Sequence, residues 1–436
     1  MNSDPRYRPW HLRVANRLGS IMMRTGLLKG GLETGSLLSA ARDATGLEDF
    51  GSDDFLQPLD LLLRAYESEA DLNFLGRLSA RTYVLRLLVN RLLLERDRTE
   101  YAEIAAQQIQ SPVFVLGLPR TGSTLLFELM ALSSAVRSPM SWEVMLPSPP
   151  PRVETFGVDP RIRQVQRMLD WVDRIAPDFK RIHEIGAMHP QECIPIMAQA
   201  FRSIQFHTTH NVPTYQAWLN TADLTPAYIY HRRMLQHFQA FGPCGTWLLK
   251  APAHLFGVEE ILRVYPDARF VQTHRDPVQV VGSIASHCVS LRQAFSEHIN
   301  SELIGYTWCW LWAMGLKRTL AFRQAHPELA DRFLDVDYAD FVHQPVTIVK
   351  DLHDKMDIPL DSSTRAEMEA HLAANPQGKH GRHRYRLEDV GLNPGQVLTQ
   401  FGEYRGAFAG ARRGPPPEVP ALEKGHVAHH GAEGTS

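Results

Sequence analysis

Val113 to Met130 reads VFVLGLPRTGSTLLFELM: an apolar run of strand type, a turn broken by glycine and proline, then an apolar run of helix type. A strand, a tight glycine turn and a helix in direct succession bring backbone N–H groups and the positive end of a helix to bear on one point, which defines a phosphate-binding loop. Set against the nucleotide-hydrolysing pattern G-x4-G-K-[ST], Gly117, Gly122 and Thr124 match, but Ser123 stands where the lysine belongs. A basic residue lies inside the turn instead, at Arg120. The loop is specified for a phosphate-like anion and not for the usual ATP chemistry.

The rest of the chain narrows what surrounds that loop. Its 436 residues call for one large domain with an elaboration, or for two domains. A hydrophobic content of 44% with 22% charged residues is that of a globular protein, and a net charge of −2 gives no support to a general nucleic-acid binder. Any anion site must then be a local concentration of positive charge. Cys193, Cys244, Cys288 and Cys309 form no C-x-x-C pair and read as buried thiols, neither disulfides nor metal ligands. The first residues, MNSDPRYRPWHLR, lack the apolar core of a signal peptide, and the run from Val84 to Leu94 is broken by Arg86 and Arg91. A cytoplasmic protein with no membrane span is expected.

Helical periodicity fills residues 1–110, through Leu56, Leu59, Leu62 and Leu63 and again from Leu72 to Leu94. These helices are expected to form an extension that packs on the main domain or makes a homodimer. After the loop helix, Ser138 to Pro151 is a proline-rich connector holding Trp142 and Glu143. Asp159 to Asp178 reads as a helix, Pro190 and Gln191 as the start of another reaching Phe201, and Pro226 to Phe241 as a third. Two more strand-to-turn units follow. Thr246 to Leu249 is a strand leading into Lys250, with a helix from Leu255 to Val264; Arg269 to Thr273 is a strand leading into Arg275 and a further helix. Strands alternating with helices of this length predict an α/β fold with a parallel sheet, and Arg120, Lys250 and Arg275 all fall beyond strand ends, where such sheets bind ligands. Ile304 to Phe322 is a Trp-rich helix expected to be buried, Asp331 to Val336 a strand, and Val346 to Met356 and Ser362 to Ala374 helices. The segment GKHGRHRYRLEDVGLNP concentrates basic residues, and residues 413–436 read as a disordered tail.

Taken in order, VLGLPRTGSTLL, LLKAPAHL, FVQTHRDPVQVVGSI, FLDVDYADFVHQP and KHGRHRYRLEDVGL resemble the sulfotransferases that use 3′-phosphoadenosine 5′-phosphosulfate (PAPS). The likeness is to the bacterial branch with an LPRTGST-type loop, which tyrosylprotein and carbohydrate sulfotransferases also approximate, and it spans about residues 110 to 410. It implies a P-loop-type sulfotransferase domain over residues 111–412 behind the helical extension. Arg120, Thr121, Gly122, Ser123 and Thr124 would wrap the 5′-phosphosulfate; Arg275 and Ser283 would hold the 3′-phosphate with help from Arg382 to Arg384; Lys250 would lie beside the transferring group; and Tyr338 would stand near the adenine. PAPS is then a co-substrate, no metal is required, and the acceptor is a small-molecule or lipid-like hydroxyl.

The chemistry accounts for the absent lysine. A departing sulfonate carries less charge than a γ-phosphate, so Arg120 and Lys250 suffice to offset charge on the leaving phosphate. The acceptor hydroxyl needs a base, with Glu143 the first choice, His254 the second, and His183 and Glu184 outside candidates. Two other classes stay open: a P-loop kinase or NTPase with an atypical loop, for which Asp335 and Asp337 are the acids at a strand end, and a nucleotide-binding protein without catalysis.

Overall fold

The structure is a computed structural model and describes residues 10–24, 31–175, 186–375 and 386–408. His183, Glu184, Arg382, Arg384 and the C-terminal tail lie outside the described residues. Five strands, β1 (Val113–Gly117), β2 (Val136–Arg137), β3 (Thr246–Lys250), β4 (Arg269–His274) and β5 (Phe333–Asp337), form one sheet in the order β2-β3-β1-β4-β5. Every neighbouring pair is parallel, as expected for an α/β fold flanked by helices.

The apolar run of β1 follows from its place at the centre, where both faces are covered. Val113 and Val115 join one hydrophobic cluster with Leu126, Leu248, Val271 and Val336. Phe114 and Leu116 point the other way, into a second cluster that also holds Leu59, Leu62 and Leu88 of the N-terminal helices and Trp247 of β3. One apolar cluster therefore runs without a break from those helices to the sheet.

The longest N-terminal helix, Phe74–Glu100, starts at Asn73, whose Oδ1 accepts the Gly76 N–H at 2.8 Å. Its arginines are structural ties. Arg91 is buried, donates to the carbonyls of Gln199 at 3.2 Å and Phe50 at 3.0 Å, and lies 4.0 Å from the Phe55 ring centroid. Among the described residues no helix is long and apolar enough to cross a membrane.

Several elements differ from their sequence reading. The strand β2 went unseen because two residues carry no periodicity. The connector after it contains a short helix, Ser141–Met145. The helix expected from Pro190 shrinks to Ile194–Ala198, because Pro190 bridges to Met140 in extended form. Gly257 divides the segment after β3 into a 3₁₀ turn, Pro252–Phe256, and a helix, Val258–Val264. The Trp-rich helix runs over Ser301–Ala325 and buries Trp308 and Trp312 but leaves Trp310 exposed. Among the cysteines Cys193, Cys288 and Cys309 are buried free thiols as expected, whereas Cys244 is exposed.

The register is what builds a site. Val115 lies opposite Lys250, Gly117 opposite Thr273, and His274 opposite Asp337. The chain segments that follow β1, β3, β4 and β5 therefore leave the sheet along one edge, at the carboxyl ends of the strands.

Candidate active site

Glycine is required twice in the turn after β1. Gly117 has φ +140° and Gly122 has φ +83°, both in the region that L side chains avoid. Space excludes a side chain at Gly117, where a Cβ would lie 2.4 Å from Thr273 Oγ1, and is tight at Gly122, where one would lie 3.0 Å from Cδ2 of Tyr338. Arg120 adopts φ +71° without being glycine, a conformation that costs about 1 kcal/mol and gathers at functional sites. The Thr121 hydroxyl faces inward, donating to Leu118 O at 2.6 Å and pairing with the Thr273 hydroxyl at 2.6 Å. These two bonds close the turn from within. The helix Ser123–Met130 begins with Gly122 at its N-cap and no side-chain cap. Its first-turn N–H groups have no partner within the helix, which leaves them for an anion.

Lys250 ends β3 almost fully buried, and its ammonium donates to Thr124 Oγ1 at 3.0 Å and pairs with the Glu192 carboxylate. Its own carbonyl accepts the Cys193 N–H at 2.8 Å. Glu192 was missed in the sequence because it falls in the segment read as helix. That segment instead runs along the connector, with Gln191 N donating to Pro139 O at 2.7 Å. Glu128, one turn past Thr124, is a second carboxylate within electrostatic reach of Lys250. Burial raises its pKa, against which the charges of His371, Lys250 and His189 pull. His371 Nε2 lies 3.5 Å from Glu128 Oε2. Neither carboxylate carries a signal in local sequence; only the fold brings them to Lys250.

Arg275 follows β4 and reaches back to the loop. Its Nη1 donates to the Arg120 carbonyl at 2.8 Å and its Nε to Gln279 Oε1 at 3.3 Å, while its guanidinium carbon lies 3.9 Å from the Tyr338 ring centroid. The ring in turn lies against Gly122, so Arg120, Gly122, Arg275 and Tyr338 form one packed lip. Ser283 is nearly buried on the helix Pro277–Phe295, which Asp276 caps by accepting the Val278 N–H at 3.1 Å.

Neither expected base stands open to a substrate. Glu143 is wholly buried: one carboxylate oxygen pairs with Arg137 at the end of β2, and the other accepts the Met140 N–H at 2.9 Å. Burial raises its pKa and Arg137 pulls it back. His254 is equally interior, with Nδ1 2.9 Å from the Tyr228 hydroxyl and its ring edge-on to Phe114 at 5.0 Å. Burial, then the nearby His231, pushes its pKa well below the ordinary value, so it is neutral. The two strand-end acids of the kinase or NTPase alternative are also engaged. Asp335 receives Arg323 at 2.7 Å and lies 2.8 Å from His274 Nε2; burial would raise its pKa, yet these partners hold it down to about 2. Asp337 caps the helix Tyr338–His343, accepting the Ala339 N–H at 2.7 Å.

Known proteins resemble this chain in sequence and in fold. A family model described as "Sulfotransferase family" matches residues 112–362, which contain the loop, Lys250, Arg275 and Tyr338. The omega-hydroxy-beta-dihydromenaquinone-9 sulfotransferase Stf3 of Mycobacterium tuberculosis is 24% identical over 327 residues, 70% of this chain and 78% of that protein. Among solved structures, sulfotransferase STF1 from Mycobacterium tuberculosis H37Rv superposes with a TM-score of 0.74 at 31% identity, covering 84% of this chain and 98% of that one. Sulfotransferase STF9 from Mycobacterium avium gives 0.78 at 28% identity, covering 86% of this chain and 96% of that one.

Proposed function

The chain belongs to the sulfotransferase family, and from that premise we propose that it transfers a sulfuryl group from PAPS to a hydroxyl of a lipid-like acceptor. The observation that carries this reading is Lys250, held between Thr124 and Glu192 beside an uncapped helix N-terminus. A cation, a hydroxyl, free N–H donors and a carboxylate at one spot are what a metal-independent transfer to an alcohol needs. The acceptor class draws on the relative named for a hydroxylated dihydromenaquinone.

The donor brings an activated sulfonate; the chain supplies grip, charge and a proton acceptor. The backbone from Leu118 to Thr124 and the start of the Ser123–Met130 helix hold the 5′-phosphosulfate. Arg120 and Lys250 offset negative charge on the departing 5′-phosphate. Arg275 and Ser283 hold the 3′-phosphate, with Arg382 and Arg384 assigned to the same group, and Tyr338 braces Arg275 beside the adenine. The base we propose is Glu192, which is partly open where Glu143 and His254 are closed. As the acceptor oxygen bonds to sulfur, its proton passes to the Glu192 carboxylate. The sulfur–oxygen bond to the 5′-phosphate breaks, and its electron pair stays on that phosphate oxygen.

Titration of the purified protein with adenosine 3′,5′-bisphosphate and separately with ATP–Mg²⁺ tests the donor. Tight metal-free binding of the bisphosphate is expected, and a preference for ATP–Mg²⁺ overturns the reading. A screen of hydroxyl acceptors with labelled PAPS then tests the acceptor class; labelling of polar alcohols alone would overturn the lipid-like assignment.

A further inference from the structure

Residues 5–32 contain Arg6, Arg8, Arg13, Arg17, Arg24 and Lys29 and no aspartate or glutamate, in a chain whose net charge is −2. The helix Trp10–Arg24 lies within this basic stretch. One side of it is tied down: Asn16 is buried and its Oδ1 accepts the Leu75 N–H at 2.9 Å, and Gly19 lies against the Phe74 ring with no room for a side chain. The opposite side carries Val14, Leu18, Ile21 and Met22, which are 47%, 57%, 52% and 41% exposed.

Helix geometry sorts these residues. At about 100° per residue, Ile21, Val14, Leu18 and Met22 share an arc of roughly 100°, while Asn16 and Gly19 fall away from it. Arg17 and Arg13 border that arc along one margin, and both are exposed. A helix pinned by one side, apolar on the other and edged by arginines has the form of an element lying in a membrane interface, with the apolar stripe among acyl chains and the guanidinium groups at headgroup level. The exclusion of acidic residues over the whole stretch selects the partner's charge.

We propose that the Trp10–Arg24 helix docks the protein on an anionic lipid surface. This is peripheral attachment through a helix lying in the plane of the bilayer, and it stands on the helix alone, independent of the acceptor's identity.

Co-sedimentation of the full chain with vesicles of phosphatidylcholine alone, or mixed with phosphatidylglycerol, tests it. Binding to the mixed vesicles is expected, weakening as salt is raised. The double variant V14E/L18E should lose at least about tenfold in partitioning through its apolar stripe. R13Q and R17Q should each cost about fivefold on mixed vesicles. All variants should bind adenosine 3′,5′-bisphosphate as the parent does, which establishes that they are folded. Absence of binding to the mixed vesicles overturns the proposal, as does undiminished binding by V14E/L18E. If instead light scattering gives a dimer that V14E/L18E dissociates while vesicles are ignored, the stripe belongs to a second copy of the chain and the lipid assignment fails.

Discussion

Two carboxylate–cation pairs stand at the carboxyl ends of neighbouring strands, and they serve opposite ends. Arg137 of β2 pairs with Glu143, with side chains 4% and 0% exposed. Lys250 of β3 pairs with Glu192, with 3% and 17%. In the first pair each carboxylate oxygen has a fixed partner, Arg137 and the Met140 N–H, and the guanidinium lies over Phe156 and Trp247. The second pair is shared with the Thr124 hydroxyl and sits beside the uncapped helix. Charge complementarity is the same in both. Saturation and access separate the two: the first pair is closed and saturated, the second partly open beside the helix N-terminus.

That contrast can be broken most directly at Glu192. Glu192→Gln should lower kcat by about 10²–10⁴-fold, the usual worth of a general base, while affinity for adenosine 3′,5′-bisphosphate changes little. Steady-state kinetics and a binding titration together decide it; near-normal turnover would return the base to Glu128 or to the buried candidates. Removing Arg137 should instead be a stability lesion. Arg137→Met leaves Glu143 buried without its cation and should cost about 3–5 kcal/mol in denaturant unfolding. Replacing both partners by apolar residues should recover most of that loss, with turnover per folded molecule within a few-fold of the parent. A large loss of kcat in a stable double variant would give Glu143 a chemical role after all.

Smaller effects sharpen the boundary between the open and closed regions. Arg275→Ala should weaken adenosine 3′,5′-bisphosphate binding by about 1.5–3 kcal/mol, as for a hydrogen bond to a charged group, and leave the melting temperature nearly unchanged. Unaltered affinity would remove Arg275 from the donor site. The interior histidines should show themselves only through pH. Burial depresses His231 and His210 to about 3 and His237 to about 4, and His254 well below its ordinary value. The unfolded chain therefore takes up protons first as pH falls below the unperturbed value of about 6.5, so stability is full above that pH and drops beneath it, by up to about 1.4 kcal/mol per pH unit for each histidine. Unfolding curves between pH 7.5 and 5 measure this slope. His254→Gln should flatten it by one histidine's share and leave kcat within a few-fold.

What the sequence disclosed follows the same division. The loop from Gly117 to Thr124, Lys250 and Arg275 were legible because each rests on a local pattern: glycines at forced backbone positions, or a basic residue directly after an apolar strand. The central sheet was legible for the same reason, through the apolar runs of β1, β3 and β4. Glu192 was not, since it reaches Lys250 through the pairing of Met140 with Pro190, which no neighbouring residue announces. Glu143 was legible as a residue but not in its surroundings, because complete burial and a partner at the end of a two-residue strand are properties of the fold. Thr121 illustrates a finer limit. Motif position places it in the turn, but the inward bonding of its hydroxyl to Leu118 and Thr273 is a property of the folded chain.

The left-handed backbone at Arg120 has a consequence for how this turn tolerates change. Glycine would adopt φ +71° with no steric penalty, and on conformational grounds it is the better residue there. Arginine occupies the position against that preference, while its carbonyl anchors Arg275. Thermal robustness alone would favour glycine at this position, whereas the role proposed for Arg120 requires its charge. Position 120 should therefore be a place where stabilised variants of this chain lose activity, a conflict written into a single backbone dihedral.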